Sequence, residues 1–249
     1  MKIVKIINAD FELKGDKIID LINNFSSAGI VIKDSRNIVK KFDLNSLKIN
    51  IKSFKVPNII NSFVYNFFRK GKAERSYVYA LKLLSLGINT PAPIAFIEFK
   101  NLFFLSNSYY VSEQLKYDFS IREVIKDLKF PERDKILKLF VKFTFKLHEN
   151  NINYLDHSPG NTLIVKNKLN YDFYLIDLNR MKFEKMSLNK RMQNFERLSQ
   201  DTSIISIFSK EYSKLYSKDF ELINNLMREK VHNFFSTKMR KKRLKSLFD

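Results

Sequence analysis

The sequence lacks cysteine and has only three histidines, at positions 148, 157 and 232. Disulfide cross-links, cysteine-based zinc sites and cysteine nucleophiles are therefore excluded. His148 and His157 are nine residues apart, and their surroundings do not have the ligand spacing of a metal site. We expect both to be structural residues.

Glycine is also scarce, with five residues in 249 and no two of them within ten positions of each other. A dinucleotide-binding fingerprint and a Walker loop both need closely spaced glycines, so both are excluded. No apolar run approaches the roughly 18 residues of a membrane-spanning helix. Lys5, Asn8 and Asp10 interrupt the apolar N-terminus, so we expect no signal peptide and a cytoplasmic protein.

What the sequence has in excess is positive charge, because 45 Lys and Arg against 26 Asp and Glu give a net charge of +19. With 45% hydrophobic residues, this is the composition of a folded protein with a strongly basic surface. Such a surface suits nucleic acid, an anionic membrane or an anionic substrate. Nucleic-acid binders usually interleave aromatic and basic residues or present a recognition helix. Neither pattern stands out here, so we expect no nucleic-acid partner.

The first 114 residues have the pattern of β structure around one helix. Apolar and polar residues alternate in short segments bounded by polar turns, as in strands. A helical spacing of apolar residues covers 72–86 and ends at Gly87, ahead of Pro91 and Pro93. The predicted strands are 30–32, 37–42, 48–54, 94–98, 102–105 and 109–113.

From residue 115 onward the pattern is mainly helical. Ser120 is predicted to cap a helix over 121–128, and a long helix is predicted over 132–148. One hairpin, with strands 162–165 and 173–176, interrupts the helices. Further helices are predicted at 188–199, 201–216 and 218–235, followed by a basic run at 238–245. This change of character divides the chain into 1–114 and 115–249, and the fold class is α+β.

Three polar residues bracket the predicted hairpin: Asp156 and Asn161 precede its first strand, and Asp177 follows its second. A hairpin returns the chain to its starting point, so Asn161 and Asp177 are expected side by side, with Asp156 just ahead of them. Oxygen ligands of this kind suit Mg²⁺, and the remaining carboxylate can accept a proton from a hydroxyl. The alternative is that Asp156 caps a turn and Asp177 merely ends a strand.

The order of the motifs resembles the protein-kinase-like superfamily. The segment Leu147–Asn161 resembles its catalytic loop, in which Asp and Asn are separated by four residues, and Leu175–Arg180 resembles the strand that ends at its magnesium-binding Asp. Within that superfamily the sequence is similar to the lipopolysaccharide kinase group, the Kdo kinase and heptose kinase enzymes. That group shows a D-x-S-x-G-N-type loop, a strand ending in I-D-L/I-N-R, and an N-F-x-R-L segment, matched by Asn194–Leu198. The resemblance covers roughly residues 29 to 200.

The resemblance implies a two-lobed protein-kinase-like fold, with a β-rich N-terminal lobe that binds ATP and a mainly helical C-terminal lobe. It implies Asp156 as the catalytic base for a sugar hydroxyl, and Asn161 and Asp177 as ligands of Mg²⁺. Lys52 matches the strand lysine that holds the α- and β-phosphates of ATP. Backbone groups around Glu113 to Leu115 would meet the adenine.

Four features depart from the usual kinase pattern. Tyr154 stands two residues before the predicted base, where typical kinases have an orienting His. No glycine-rich loop exists, and the segment 34–37 occupies the expected turn. Glu74 is the only acidic residue near the start of the 72–86 helix that could pair with Lys52, and Val78 lies one turn later. Asn179 stands where many kinases have Gly.

The resemblance and the charge together predict an ATP- and Mg²⁺-dependent kinase of the lipopolysaccharide inner core. Its partners would be a lipid-linked sugar acceptor and an anionic membrane surface, at the cytoplasmic face of the inner membrane, and we expect a monomer. The basic run at 238–245 could form a short interfacial helix or be a solvated tail. Two alternatives stay open: a kinase-like enzyme acting on protein or another small molecule, and a non-catalytic pseudokinase scaffold.

Overall fold

The computed structural model describes residues 2–56, 70–100, 105–168 and 170–246. The chain divides into two compact units, residues 1–116 and 117–249. The first is built on a large sheet and the second mainly on helices, which confirms the predicted α+β class.

The N-terminal unit is a six-stranded antiparallel sheet in the order β1-β5-β6-β4-β3-β2. Among the described residues of this unit, one helix packs on each face of the sheet, so apolar side chains of both parities along a strand are buried. Its strands are β1 (Lys2–Ile7), β2 (Ile30–Asp34), β3 (Ile38–Leu44), β4 (Leu47–Phe54), β5 (Pro93–Lys100) and β6 (Leu105–Glu113). Its helices are α1 (Gly15–Asn23) and α2 (Lys72–Ser85).

The two faces of this sheet bury different parts of strand β4. Ile49 and Ile51 point to the side of α1, where they pack with Ile18 and Ile22. Burying each such aliphatic side chain contributes roughly 1.5–3 kcal/mol. Phe54 belongs to the other face, which packs on α2. The alternation predicted from the sequence is therefore present, but both of its faces are covered.

The β2–β3 hairpin and helix α2 lie where the sequence predicts them, and the turn at 35–37 joins the two strands. Helix α1 and strand β1 were not predicted. The strand expected at 109–113 begins at Leu105 and runs without the predicted turn, while residues 102–104 of the other expected strand lie outside the described part of the chain.

The C-terminal unit buries one apolar core between its long helices. Its helices are α3 (Ile121–Lys126), α4 (Arg133–Glu149), α5 (Leu188–Gln193), α6 (Thr202–Tyr216) and α7 (Phe220–Lys245). Its strands are β7 (Phe119–Ser120), β8 (Ile152–Tyr154), β9 (Thr162–Lys166), β10 (Tyr171–Leu175) and β11 (Met181–Phe183). Strands β9 and β10 form the predicted hairpin, and β8 pairs with β11 in a separate two-stranded sheet.

Helix boundaries in this unit follow local signals in the sequence. Ser120 starts α3, as predicted, because Glu123 reaches back and accepts a hydrogen bond from the Ser120 N–H at 2.6 Å. Helix α5 ends at Gln193, six residues earlier than expected. Helix α7 continues ten residues past the predicted end at 235, through the basic run, because Lys and Arg are good helix formers and the segment has neither Gly nor Pro.

His148 and His157 are both buried, at 0% and 1% exposure, which places them in the core as predicted. Within the described ranges, no three His, Cys, Asp or Glu side chains are grouped so that they could hold a metal ion. In the same part of the chain, no helix is long and apolar enough to cross a membrane.

Candidate active site

The β9–β10 hairpin brings the predicted metal ligands to one rim of the C-terminal unit. Thr162 pairs with Leu175 at the open end of the hairpin. The N–H of Ile176 then donates to the carbonyl of Asn161 at 3.0 Å. Asn161 and Asp177 therefore leave neighbouring strand ends, as the hairpin predicts.

The loop that follows β8 places Asp156 against Asn161. The carbonyl of Asp156 accepts a hydrogen bond from the Ser158 N–H at 2.7 Å and another from the Asn161 side-chain nitrogen at 2.9 Å. Since the amide nitrogen of Asn161 is used within the loop, its amide oxygen faces away from that carbonyl and is the atom with which Asn161 can bind a cation.

The same loop is joined to the chain that follows Asp177. Strand β8 pairs with β11, so that Tyr154 faces Met181, and the Leu155 N–H donates to the Arg180 carbonyl at 3.0 Å. The predicted base and the segment after the predicted metal ligand are thus held by backbone hydrogen bonds as one assembly.

Tyr154 supplies a further link inside this assembly. It is fully buried, and its hydroxyl donates a hydrogen bond to the carbonyl of Ile176, the residue before Asp177. Burial, followed by the negative charges of Asp177 and Asp156, raises the pKa of Tyr154 well above its usual value, so the hydroxyl stays a proton donor. The sequence alone suggested that the absence of a histidine at this position removes an orienting side chain. In the structure, the tyrosine orients the segment instead.

Asn179 plays a similar part where many kinases have glycine. Its side-chain nitrogen donates to Asp177 Oδ1 at 2.6 Å, and the residue is only 7% exposed. Asp177 itself has a left-handed backbone (φ 61°, ψ 49°), a conformation that Asp tolerates better than most residues. The Asp177 carboxylate is thus fixed by its own short turn.

Two arginines flank the carboxylate of Asp156. Arg180 Nη1 lies 3.5 Å from Oδ2, and Arg197 Nη1 lies 3.4 Å from Oδ1. The guanidinium of Arg197 also stacks on the ring of Phe234 in helix α7, 4.7 Å from the ring centre. Both arginines lie in strings that carry the sequence resemblance, but the sequence alone gave them no role.

The N-F-x-R-L segment explains how Arg197 is positioned. Asn194 Oδ1 accepts hydrogen bonds from the Tyr154 N–H and from the His148 ring, each at 3.3 Å, while its side-chain nitrogen donates to Asn153 Oδ1 at 2.9 Å. Because that oxygen is an acceptor, His148 carries its proton on Nε2 and accepts from the Tyr212 hydroxyl, 2.8 Å away, at Nδ1. Asn194 thereby ties strand β8 to the segment that presents Arg197.

The close approach of an arginine explains why residue 160, in the predicted catalytic loop, is glycine. A Cβ at this position would lie 2.2 Å from Arg122 Nη2, so the guanidinium of Arg122 lies directly over the loop backbone next to Asn161. Sequence reasoning missed Arg122, and no local pattern marks it, since its proximity arises from the packing of α3 against the loop.

Lys52 lies on the face of the N-terminal sheet that packs on α2. It pairs with Tyr110 across β4 and β6, and its ammonium lies 5.1 Å from the centre of the Phe54 ring. Tyr110 is partly buried beside Tyr77, and desolvation raises its pKa above the usual value. The lysine thus stands at the border of an apolar and aromatic cluster.

The other two residues assigned to this unit have contacts of their own. Glu74 forms an ion pair with Lys70 at 3.1 Å, and its pairing with Lys52 stays a prediction. The N–H of Glu113 donates to the Ala92 carbonyl at 2.9 Å, and the N–H of Gln114 donates to the Lys48 carbonyl at 2.9 Å. These two donors serve the sheet, so a role of this segment towards adenine would rest on its other backbone groups.

Comparison with known proteins identifies the fold. WaaP, solved in complex with acyl carrier protein, matches with a TM-score of 0.64 at 15% identity, covering 97% of this chain and 99% of WaaP. The Rio2 kinase from Chaetomium thermophilum, solved as an ADP/Mg²⁺-phosphoaspartate complex, matches with a TM-score of 0.51 at 11% identity, covering 91% of this chain and 72% of that one. At these identities the similarity shows the fold, which is protein-kinase-like.

No curated protein matches the chain significantly. The family model of the lipopolysaccharide kinase (Kdo/WaaP) family matches residues 55–218, a span that contains Asp156, Asn161 and Asp177. Since this is more than half of the sequence, the chain belongs to the lipopolysaccharide kinase (Kdo/WaaP) family of kinases.

Proposed function

We propose that this protein transfers the γ-phosphoryl group of ATP to a hydroxyl of an inner-core sugar, Kdo or heptose, on a lipopolysaccharide precursor. The observation that carries the proposal is the assembly of Asp156, Asn161 and Asp177 in a member of a lipopolysaccharide kinase family. The rest of the assembly orients these three residues.

Asp156 is the proposed base. Its carboxylate is 20% exposed, so a hydroxyl can approach it, and its loop is fixed by hydrogen bonds to Ser158 and Asn161. Accepting the proton of the attacking hydroxyl is the role that such a carboxylate can fill. Phosphoryl transfer depends mostly on positioning and on electrostatic stabilisation, which is what this hydrogen-bonded loop provides.

The residues present fit a magnesium ion. Asp177 offers a carboxylate and Asn161 an amide oxygen that its own hydrogen bond turns outward, and Mg²⁺ is commonly held by one or two such oxygens together with substrate phosphates. When bound, the ion would neutralise charge on the phosphates of ATP. Asn179 holds the Asp177 carboxylate, and Tyr154 holds the backbone before it.

In the N-terminal unit, we assign Lys52 to the ATP phosphates and the backbone from Glu113 onward to the adenine. The ammonium of Lys52 lies 5.1 Å from the centre of the Phe54 ring, and a cation–π contact of this kind favours one position of the side chain before ligand binds. Glu74 is assigned as the acidic partner of Lys52, in exchange for its ion pair with Lys70.

The proposed place of action is an anionic membrane surface at the cytoplasmic face of the inner membrane. Helix α7 ends in a basic run with five described cationic side chains, all exposed: Lys238, Arg240, Lys241, Lys242 and Arg243. Each cation near such a surface contributes about 1 kcal/mol to adsorption. The net charge of +19 favours the same partner and an anionic acceptor.

The proposal is tested by incubating the purified chain with labelled ATP, Mg²⁺ and lipid acceptors that carry Kdo or heptose, with a protein acceptor in parallel. Asp177→Ala is expected to abolish transfer. Asp156→Asn is expected to lower the rate by roughly 10²–10⁴ while ATP still binds, because only the proton acceptor is lost. Asp134→Asn, the same change at an exposed position of α4, is the matched control and should keep wild-type turnover.

Three results would contradict the proposal. Near-normal turnover in Asp177→Ala removes the metal assignment. Transfer of phosphate to protein but not to lipid shows that the acceptor is a protein rather than a lipid-linked sugar. If Mg·ATP produces no thermal shift and no acceptor is labelled, the chain is a scaffold rather than a kinase.

A further inference from the structure

The environment of Asp156 is more positive than a catalytic base requires. Two guanidinium groups, on Arg180 and Arg197, face one carboxylate, one at each oxygen. Within the described residues, Asp156 is the one acidic group at ion-pair distance from Arg180. Arg180 therefore has one carboxylate partner, whereas Arg197 also has Glu196, whose Oε1 lies 3.6 Å from the Arg197 Nε.

Neither ion pair is tight. The N–O distances of 3.4 and 3.5 Å exceed the roughly 2.7–2.9 Å of a good charge-assisted hydrogen bond. A guanidinium has five N–H donors in a fixed plane, and these contacts engage one nitrogen of each group. Arg180 is also 43% exposed. The two arginines thus keep donors for a further acceptor.

Arg197 is held in place by contacts at Nε, at Nη1 and on the face of its guanidinium. Its guanidinium stacks on the Phe234 ring at 4.7 Å, and its Nε lies 3.6 Å from Glu196 Oε1. A stacked guanidinium leaves its edge available for a planar anion, which is a geometry that lysine cannot provide. Phe234 therefore acts as the positioning residue of Arg197.

The location of the cluster indicates what the anion belongs to. A sugar hydroxyl that gives its proton to Asp156 lies within hydrogen-bond reach of the carboxylate. Other substituents of the same sugar residue then lie near the side chains that contact that carboxylate from both sides. An acidic substituent would meet Arg180 or Arg197.

We infer that Arg180 and Arg197 form the binding site for an anionic group, a carboxylate or a phosphate, on the acceptor sugar. The inference rests on the proposed function and deepens it, since it names the feature by which the acceptor is chosen. Two groups can supply this negative charge on the acceptor: the carboxylate of Kdo, or a phosphate on a heptose-bearing core. Binding of the anion exchanges each arginine's loose contact with Asp156 for a shorter one with the acceptor.

The test measures acceptor binding without ATP and turnover with it, using the full chain. Calorimetry gives Kd for a Kdo-bearing acceptor and for its methyl ester, and for a phosphorylated heptose acceptor and its dephosphorylated form. In the wild type, removal of the anion from the recognised acceptor should raise Kd and KM by about 10- to 100-fold, the effect of losing charge-assisted hydrogen bonds. The pair that shows the change identifies the source of the anion.

The variants Arg180→Gln and Arg197→Gln should weaken binding of the charged acceptor and bring the ratio between neutral and charged forms close to one. Arg180→Lys should restore only part of the ratio. Phe234→Leu should lower the ratio while leaving Kd for ATP unchanged. Arg228→Gln, which removes one exposed arginine of α7, is the matched control and should behave as the wild type.

Two results would overturn the inference: equal wild-type binding of charged and neutral acceptors in both pairs, or arginine variants that raise KM for ATP and not for the acceptor. If Arg197→Gln does not fold, Arg180→Gln decides the question, because the Arg180 side chain is the more exposed of the two, at 43% against 31%. Failure of the proposed function is seen separately, as an absence of turnover in the wild type with any of the four acceptors while binding is still measured.

Discussion

The Tyr154 hydroxyl holds the backbone before Asp177, and the side-chain amide of Asn179 holds the Asp177 carboxylate. At position 154 a typical kinase has histidine, and at 179 many have glycine, yet both substituted side chains donate hydrogen bonds at the predicted metal site. A departure from a sequence motif should therefore be judged by the hydrogen bonds that the substituted side chain makes, and not by its identity alone.

Tyr154→Phe removes the donor to the Ile176 carbonyl and leaves a partly buried acceptor without this partner. The expected cost is about 1–3 kcal/mol of stability. Because the segment that it releases carries Asp177, the apparent Mg²⁺ affinity in a turnover assay should also fall, by about tenfold, a loss comparable to that of one hydrogen bond to a charged group.

The matched control is Tyr212→Phe, which removes another buried tyrosine hydroxyl in the same unit, one that contacts His148. It should lower the stability in urea unfolding but leave the Mg²⁺ dependence as in the wild type. If both variants shift the Mg²⁺ titration equally, Tyr154 has a structural role only.

At the scale of single elements, local signals decided what could be predicted. Strong periodicity and clear ends mark the β9–β10 hairpin and helices α2, α4 and α6. The predicted ends of these elements lie within two residues of the observed ends. The hairpin alone was enough to bring Asn161 next to the chain of Asp177, because that juxtaposition follows from the path of the backbone.

Elements that depend on distant partners were missed. Strand β1 is held by β5, which lies more than 80 residues later, and the three-residue strands β8 and β11 exist only through each other. Helix α1 has apolar residues at helical spacing, Ile18 and Ile22, but it is short, and short helices gain their stability from packing. Tertiary contacts likewise determine the positions of three arginines near the site: Arg122, Arg180 and Arg197.

The basic end of helix α7 yields a prediction about membrane binding. Met239 and Leu244 are exposed, but at 100° per residue they lie about 140° apart around the helix, so they do not form one apolar stripe. Adsorption should therefore be electrostatic. Changing Lys241, Lys242 and Arg243 together to Gln should weaken binding to anionic vesicles by about tenfold or more, as measured by co-sedimentation.

The control for this change is the triple variant Lys126→Gln, Lys129→Gln and Lys138→Gln, which removes the same charge from exposed positions elsewhere in the unit. It should bind vesicles nearly as the wild type does, and zwitterionic vesicles should bind neither. Because the Debye length shrinks to about 3 Å at 1 M salt, binding should be lost there. An equal loss in both triple variants would show that net charge, and not α7, governs adsorption.

At the scale of the whole molecule, the order of the sequence motifs indicated the family before any contact was known. A kinase-like fold without a glycine-rich loop agrees with the five scattered glycines, and the family match confirms the sequence resemblance. The motifs did not predict the network of buried polar groups beneath the site, because its hydrogen bonds join residues 40, 46 and 64 positions apart.

Two buried histidines, His148 of this network and His157, make the stability of the protein depend on pH. Burial lowers the pKa of His148 to about 3 and that of His157 to about 4, whereas an unfolded histidine titrates near 6.5. The folded-state pKa values are depressed, so protonation favours the unfolded chain. The stabilising contribution is complete above pH 6.5 and is lost as the pH falls towards 4, by on the order of 1 kcal/mol per pH unit for each histidine.

Urea unfolding between pH 7.5 and 5 measures this slope. His148→Gln should flatten it by about half, since one of the two buried histidines is removed. His232→Gln, at an exposed position, should leave the slope unchanged. A slope that is the same in His148→Gln and in the wild type would assign the pH dependence to other groups.

The stacking of Phe234 on Arg197 has a practical consequence for shortened or tagged forms of the protein. A stop codon placed before residue 234 removes the basic helix end and also the ring on which Arg197 rests, so lost turnover would say nothing about the membrane. A cut after residue 237 separates the two effects, because the aromatic ring is kept and the cationic tail is gone. A truncation that removes the cationic tail and keeps the Phe234 ring must therefore end between residues 234 and 237.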